Sequence, residues 1–206
     1  MYPPPPWTLK GHSLQSLHLL DIEQVRASVP AELQILSPWP GKTLGGLFVA
    51  AYQQGSTLVY SELIGVSALV YAQGKLGAWI SHIYVDNPDS VAGGREIWGL
   101  PKQLAQFTWN ADRTAVQVSQ DGQRLCSLTR QNSLLGLPLV LIAPVLTKID
   151  ERIALFTGQV RAKLHLTDLN LEIPPESPLT PLQLNRPLLS FYADPLTLVA
   201  NPPGSA

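Results

Sequence analysis

Runs of apolar residues separated by glycines dominate the first half of the chain. Leu44–Gln53, Thr57–Tyr71 and Leu76–Asp86 are rich in Val, Ile, Leu and Tyr, and Gly55 and Gly74 stand between them. Runs of this composition, bounded by turn residues, are typical of β-strands that follow one another through tight connections. We therefore predict three consecutive strands across this region.

The second half of the chain alternates more cleanly between apolar and polar positions. Ala115–Gln120 and Gln123–Arg130 flank an Asp-Gly pair, which is a strong signal for a two-residue hairpin. Gln159–Ile173 places Val, Ala and Leu on one face and Arg, Lys, His and Thr on the other. A last strand is predicted near Leu188–Tyr192. One dry face and one wet face are the pattern of an antiparallel sheet.

Two short helices interrupt the predicted strands. Asp21 is placed to cap the first helix, which Pro30 ends. Asn87 and Pro88 open the second helix, and Gly99 closes it. Many strands with few helices predict a mainly β (α+β) fold built from closed or sandwiched antiparallel sheets.

Length and composition predict one globular domain over residues 1–206. Hydrophobic residues make up 45% of the chain and charged residues 14%, and no interior segment has the composition of a linker. The proline run within residues 1–10 predicts an exposed polyproline II arm. The apolar stretch Ser133–Leu146 is too short to cross a bilayer and carries Pro138 and Pro144, so we expect it to be buried.

Charge and cysteine content exclude several functional classes. A net charge of −1 gives no electrostatic footprint for nucleic acid, so no nucleic-acid partner is expected. One cysteine, Cys126, excludes an internal disulfide framework and a cysteine-based metal cluster. The first residues lack the pattern of a signal peptide and no membrane span is predicted, so a cytoplasmic protein is expected. Metal-binding, dinucleotide-binding and Walker motifs are also absent from the sequence, so we predict neither a metal nor an organic cofactor.

Lys102 stands directly after a proline in an apolar run. Pro101 favours an extended conformation at Leu100, so the helix that ends at Gly99 cannot continue, and Lys102 begins a new segment. A lysine enclosed by apolar neighbours loses proton affinity, and a neutral amine attacks carbonyl groups. The alternative is an exposed lysine whose stem lies along the apolar surface.

Glu62 is an anomaly in its strand. Alternation places it on the face of Tyr60, Ile64 and Val66, and the opposite face is apolar as well. A carboxylate in such a strand is destabilising unless it is paired or protonated. Glu62 is therefore either one half of a structural ion pair, for instance with Arg95, or a pocket carboxylate whose proton affinity is raised by burial.

Other polar residues give weaker signals for a site. His82 shares a predicted face with Ile80 and Tyr84 and would either line a cavity or be a hydrogen-bonded core residue. Arg95 is expected to fix its helix through a charge-assisted hydrogen bond. Gly93–Gly94 weakens the helix propensity, so we expect these glycines to allow another backbone to approach closely.

Four short motifs, in this order and spacing, resemble the acetoacetate decarboxylase family. They are Tyr60–Glu62 (YSE), Tyr84–Asn87 (YVDN), Gly94–Glu96 (GRE) and Pro101–Lys102 (PK). The resemblance implies antiparallel, barrel-like sheets that enclose a pocket, in proteins that assemble as homo-oligomers. It also implies that Lys102 is the lysine that forms a Schiff base and that Glu62 is the pocket glutamate. Decarboxylation in that family proceeds through an imine and needs no metal or organic cofactor.

Three positions depart from the family pattern. Gln103 follows the lysine, where the decarboxylase has a second lysine. Gly11 and His12 occupy the region of an arginine, and an acidic residue expected near Leu47 is absent. Gln103 removes a cationic neighbour that could lower the proton affinity of the Lys102 amine, and the missing arginine concerns the recognition of a substrate carboxylate. The resemblance therefore predicts the fold more directly than the reaction.

The leading hypothesis is a Schiff-base-forming lyase that acts on a small keto acid or a related carbonyl compound. Lys102 is the predicted nucleophile, and Glu62 is its charge or proton partner. The predicted substrate-binding residues are Tyr60, His82, Arg95, Trp98 and Leu100. Two alternatives remain open on the same fold: a non-decarboxylating enzyme of aldolase or dehydratase type, or a binding protein for a hydrophobic small molecule. A third is a structural subunit whose proline-rich arm packs on a neighbour.

Overall fold

The computed structural model describes residues 1–204. Its strands are β1 (Trp7–Asp21), β2 (Gln34–Ile35), β3 (Lys42–Tyr52), β4 (Tyr60–Ala72), β5 (Lys75–Val85), β6 (Lys102–Leu104), β7 (Gln106–Trp109), β8 (Ala115–Gln120), β9 (Gln123–Ser133), β10 (Leu137–Ile149), β11 (Arg152–Glu172) and β12 (Leu189–Ala200). The α-helices are α1 (Ile22–Val25) and α2 (Pro88–Trp98), and short 3₁₀ helices cover Arg26–Ser28 and Thr180–Leu182.

Seven strands pair in a circuit around a central space. Their order is β10–β5–β4–β3–β1–β12–β11, and β11 pairs with β10 in turn. All neighbours in the circuit are antiparallel except β10 and β5, which pair in parallel over a short contact. β9, β8 and β7 continue the sheet from β11, whereas β6 pairs with β5 and β2 with β4. The predicted mainly β fold of antiparallel, barrel-like sheets is therefore confirmed.

The strands bury apolar side chains in two layers. One layer faces the central space of the circuit and includes Trp98 and Phe156. The other packs the outer face of the circuit against β8 and β9 and includes Leu63 and Val118. Because successive residues of a strand point to opposite faces, Leu63 enters the outer layer and its neighbour Glu62 points into the central space.

α2 begins and ends where the sequence predicts. The Asn87 side chain accepts hydrogen bonds from backbone N–H groups of the first turn, including that of Ser90. Gly99 adopts the left-handed conformation (φ 64°) that ends the helix. The first predicted helix is shorter than expected, because α1 has four residues and its continuation to Ser28 is a 3₁₀ helix. None of the helices described in residues 1–204 is long and apolar enough to cross a membrane.

The apolar stretch Ser133–Leu146 is largely exposed, so the prediction that it is buried is wrong. Leu135 is 85% exposed and Val140 is 74% exposed. β10 pairs with β11 along its whole length, but it pairs with β5 only at Val145 and Leu146. The earlier part of β10 therefore has a strand neighbour on one side alone within the described residues. Apolar composition predicted burial for this stretch, but burial requires neighbours on both sides and the fold provides one along most of it.

The proline-rich segment packs on its own chain, whereas the sequence predicted an exposed arm. Trp7 is 1% exposed and is the first residue of β1. The rings of Trp7 and Tyr2 lie 2.6 Å and 3.0 Å from the point where a Cβ on Gly93 would stand. The Met1 amino group is 3.0 Å from a carboxylate oxygen of Asp89. Gly93 therefore gives space to two aromatic side chains, and not to the backbone that we predicted.

Candidate functional site

The central space of the strand circuit holds a cavity of about 480 Å³. Cavities of roughly 300–1,000 Å³ hold small-molecule ligands in many proteins. Within the described part of the chain, Glu62 and Lys102 are the charged side chains that line it. Gln15 and Tyr60 add polar groups, and the other side chains along the walls are apolar. The cavity is therefore an apolar space with one charged pair in its wall.

Lys102 lies at the start of β6 and is 3% exposed. Its Nζ donates a hydrogen bond to Oε1 of Glu62 at 2.8 Å and another to Oγ of Ser90 at 3.0 Å. The carbon stem of Lys102 passes α2 at Gly94, where an added Cβ would lie 2.4 Å from Cδ and 2.7 Å from Cε of the lysine. Any side chain at Gly94 would overlap the stem, so the helix and the lysine fit together only because this position is a glycine.

Glu62 lies on β4 and is held by two phenol groups besides the lysine. The Tyr52 hydroxyl donates to Oε2 of Glu62 at 2.9 Å, and the Tyr60 hydroxyl lies 3.5 Å from Oε1. Burial and the adjacent Glu62 charge raise the pKa of Tyr52 and of Tyr60 well above the usual range of a phenol. Both hydroxyls therefore keep their protons at neutral pH and act as donors to the carboxylate.

Two aromatic rings lie beside the ammonium group of Lys102, in addition to its hydrogen-bond partners. Nζ lies 5.1 Å from the ring centre of Tyr60 and 5.8 Å from that of Trp7. Trp7 in turn meets Trp98 edge to face, with ring centres 4.8 Å apart. Rings at these distances attract a cation and exclude water from it. The charged pair is thus held in a dry environment at the wall of the cavity.

Tyr60, Trp98 and Leu100 line the cavity together with Lys102 and Glu62. They come from β4, from the end of α2 and from the connection to β6. The structure thus brings five of the predicted site residues to the wall of one cavity.

His82 lies outside the cavity because of a β-bulge. The register between β4 and β5 shifts at Ser81, since Gly65 pairs with His82 and the next residue of β4 pairs with Ile80. Alternation is interrupted there, so Ile80 and Ile83 both face the cavity and His82 faces away. The Ser81 hydroxyl lies 2.8 Å from Nδ1 of His82, and burial lowers the pKa of this imidazole.

Arg95 also lies outside the cavity, on the exposed side of α2. Its Nε donates a hydrogen bond to the backbone carbonyl of Lys102 at 2.8 Å. Arg95 thus ties α2 to the first residue of β6. The suggested ion pair between Arg95 and Glu62 is wrong, because Lys102 occupies that place.

Four further residues complete the site: Ser90, Tyr52, Trp7 and Gly94. Ser90 and Gly94 are four residues apart on α2, so they share the helix face that meets Lys102, and this spacing was visible in the sequence. Tyr52 lies directly opposite Tyr60 across β3 and β4. This position depends on the register between β3 and β4, which no pattern in the sequence indicates.

Metal-ligand geometry is not found in residues 1–204, which contain no group of three or more His, Cys, Asp or Glu side chains able to hold an ion. The side chains at the charged end of the cavity offer an amine, a carboxylate and phenol donors.

Comparison with known families matches the sequence of this chain to a named group. The profile of a family described as "Acetoacetate decarboxylase (ADC)" matches residues 1–135. The chain is 36% identical over 107 residues to "Protein NEOXANTHIN-DEFICIENT 1" of Solanum lycopersicum. That match covers 52% of this chain and 36% of the plant protein, so the two share much less than the full length of the relative.

Solved structures show the same fold over nearly the whole chain. An acetoacetate decarboxylase from Legionella pneumophila aligns with a TM-score of 0.73 and 18% identity, and covers 100% of this chain and 88% of its own. The enduracididine biosynthesis enzyme MppR, solved with pyruvate, aligns with a TM-score of 0.64 and 17% identity, and covers 99% of this chain and 90% of its own. Because these sequence identities are low, the structural likeness establishes the shared fold alone.

Proposed function

Since the chain belongs to the acetoacetate decarboxylase family, we propose that it is a Schiff-base-forming lyase for a small keto acid or a related carbonyl compound. The observation that carries the proposal is the contact of 2.8 Å between the Lys102 amine and the Glu62 carboxylate at the wall of an apolar cavity. Lys102 is the nucleophile, and Glu62 is the group that takes and returns its proton.

The first step is the formation of the imine. Glu62 accepts a proton from the Lys102 ammonium group, over a distance that suits direct proton transfer. The free Nζ electron pair then forms a bond to the carbonyl carbon, and the C=O π pair moves to oxygen. The carbinolamine oxygen takes one proton from the attacking nitrogen and one from Glu62 and leaves as water, so that a protonated imine joins the substrate to Lys102 and Glu62 is again a carboxylate.

The second step uses that imine as an electron sink. With a β-keto acid, the bond between the α-carbon and the carboxylate breaks, carbon dioxide leaves, and the electron pair forms an enamine with the imine nitrogen. The enamine carbon then takes a proton, and water hydrolyses the imine to release the ketone and the lysine. With other carbonyl compounds, loss of an α-proton gives the same enamine and leads to aldolase or dehydratase chemistry. The structural relative MppR was solved with pyruvate, which is a keto acid.

A borohydride trapping experiment tests the proposal. The protein is mixed with acetoacetate, pyruvate or other keto acids, reduced with borohydride, and weighed intact by mass spectrometry. We expect one adduct that disappears in Lys102→Met. The matched control is Lys163→Met, which removes an exposed lysine of β11 and leaves the adduct in place. Absence of an adduct across the panel, or an adduct that persists in Lys102→Met, would refute the proposal.

A second candidate function is a binding protein for a hydrophobic small molecule. Two observations favour it: the walls of the cavity are almost entirely apolar, and Lys102 is already bonded to Glu62 and Ser90. In that case Lys102→Met would keep ligand affinity, whereas the lyase would lose all turnover. Turnover is measured as carbon dioxide released from acetoacetate, so both results come from the same pair of proteins.

Assembly, domain structure and location are further parts of the proposal. The exposed apolar side chains of β10, among them Leu137 and Val140, support a homo-oligomer, which sedimentation velocity tests. A single domain over residues 1–206 requires one cooperative unfolding transition. The single cysteine, Cys126, is buried and fits a cytoplasmic location, which cell fractionation tests.

A further inference from the structure

From the cavity walls we infer that the carbonyl substrate carries an apolar tail, which extends from Lys102 along β10, β11 and β12. This inference rests on the proposed imine chemistry and names the class of substrate for it. A short keto acid such as pyruvate would occupy the charged end and leave the rest of the cavity unfilled. The cavity of about 480 Å³ has the size of a site for a larger ligand.

The charged groups are concentrated at one end of the cavity, and Gln15 on β1 is a polar side chain of its wall outside that cluster. Lys102, Glu62 and the Tyr60 hydroxyl form a single cluster joined by hydrogen bonds. Trp7 and Trp98 close this end, and both are almost fully buried. A carbonyl group that reaches the amine must therefore enter from the apolar side, and the rest of the molecule must remain among apolar walls.

The apolar walls form successive rungs that lead away from the charged end. A rung is a row of residues that are paired with one another across β1, β12, β11 and β10. The first rung begins at Trp7, whose ring centre lies 5.8 Å from the Lys102 amine. From Lys102 outward the rungs are Trp7–Ala200–Gly158–Ala143 and then Leu9–Leu198–Val160–Leu141. Two rungs two residues apart along a strand are separated by about 7 Å. The path is long enough for a short alkyl chain.

Exposure increases along the same path. On β10 the exposed fraction rises from 9% at Val145 to 38% at Leu141. On β11, Phe156 is buried, whereas Val160 and Ala162 are half-buried. The cavity is thus closed at the amine and open at its apolar end. This is the arrangement that admits a molecule with its carbonyl group first and its tail last.

Charge gives a second, independent argument for the tail. Within residues 1–204 the cavity wall contains one cation, Lys102, which is the nucleophile of the proposed reaction. The basic side chains of β11, such as Arg161 and Lys163, are exposed, and neither lines the cavity. A substrate carboxylate would therefore find no second cation, so affinity must come from buried apolar area. Each additional buried methylene strengthens binding about fourfold, which corresponds to about 0.8 kcal/mol.

The experiment uses straight-chain methyl ketones of increasing length, from butanone upward, on the full chain. Titration calorimetry measures the dissociation constant, and borohydride trapping measures the adduct on Lys102. We expect the dissociation constant to fall about fourfold per methylene until the cavity is filled. A dissociation constant that does not depend on chain length would overturn the inference.

A blocking variant tests the path of the tail. Ala162→Phe adds a ring to the cavity wall between β10 and β12, opposite Leu139. We expect it to weaken the binding of long ketones at least tenfold and to weaken the binding of butanone much less. The matched control is Lys163→Phe, which adds the same ring to the exposed face of β11. Long ketones that bind Ala162→Phe as tightly as the wild type would refute the path, and if the variant does not fold, the wild-type length series decides.

The two measurements separate this inference from the proposed function. If the dissociation constant depends on chain length but no adduct forms, the lyase is refuted and the apolar-tail site is retained. An adduct that forms equally well with ketones of every length would retain imine chemistry and refute the tail.

Discussion

Removal of the Lys102 charge should reveal how strongly the buried ion pair holds the site together. Lys102→Met keeps an unbranched, apolar stem against Gly94 and removes the ammonium group. The side chains of Lys102 and Glu62 are only 4% and 5% exposed. Water therefore cannot take the place of the lysine, and Glu62 retains only its contacts with Tyr52 and Tyr60.

The expected loss of stability follows from the distance and the burial. Two unit charges 2.8 Å apart attract each other by about 6 kcal/mol at an effective dielectric constant of about 20. Part of that attraction offsets the desolvation of both groups. Removing one partner of such a buried pair costs about 3–5 kcal/mol, because the remaining charge is left unpaired. We expect Lys102→Met to lower the free energy of unfolding by that amount.

Urea unfolding of a double-mutant cycle measures the effect. Glu62→Gln in the Lys102→Met background removes the unpaired charge, so the double variant should be more stable than Lys102→Met alone. The surface pair Lys42–Asp21, with 41% and 37% exposure and a distance of 3.1 Å, is the matched control. Lys42→Met should change stability by less than about 1 kcal/mol.

A small effect at Lys102 would contradict the reasoning. If Lys102→Met and Lys42→Met lowered the free energy of unfolding equally, Lys102 and Glu62 would not be two opposite charges. The proton would then reside on Glu62, or the lysine would have lost it. A double variant less stable than Lys102→Met would also refute the argument, because the carboxylate would then not be the source of the loss.

Three further predictions follow from single positions. Gly94→Ala should destabilise the protein and displace Lys102, because overpacking costs about 1–3 kcal/mol and the gain in helix propensity is about 1 kcal/mol; equal stability and equal borohydride adduct would contradict this. Burial lowers the pKa of His18 from 6.5 to about 4, so its contribution to stability is complete above pH 6.5 and is lost as the pH falls through about 4. The loss amounts to roughly 3 kcal/mol, and His18→Leu should remove it from a series of urea titrations between these pH values. Burial raises the pKa of the Cys126 thiol to about 12, so a disulfide reagent should modify it only after unfolding, and rapid reaction with the native protein would contradict that burial.

Local patterns predicted the parts of the site that lie on uninterrupted strands. The alternation of β4 is regular from Tyr60 to Ile64, so counting by two residues correctly placed Glu62 on a face with other cavity residues. The same counting on β5 failed for His82, since the bulge at Ser81 adds a residue that no local composition marks.

Contacts between distant segments were beyond the sequence alone. The partner of Glu62 depends on the parallel pairing of β6 with β5, which joins Lys102 to Ile83 across the whole of α2. The exposure of β10 has the same origin, because a strand is buried by its neighbours and not by its own composition. The residue-level resemblance predicted that Lys102 and Glu62 belong to one site, but the contacts with Ser90 and Tyr52 required the folded chain.

Pro138 of β10 has a consequence for how this protein can meet other molecules. It pairs opposite Lys163 on β11, in the part of β10 that β5 does not cover. A proline nitrogen has no hydrogen to donate, so it can neither bond to β11 nor extend the sheet at the free edge of the strand. The free edge is thus a poor template for the backbone of a second chain, which limits uncontrolled fibre-like association. Recognition at this surface must depend on side-chain shape and not on extension of the sheet.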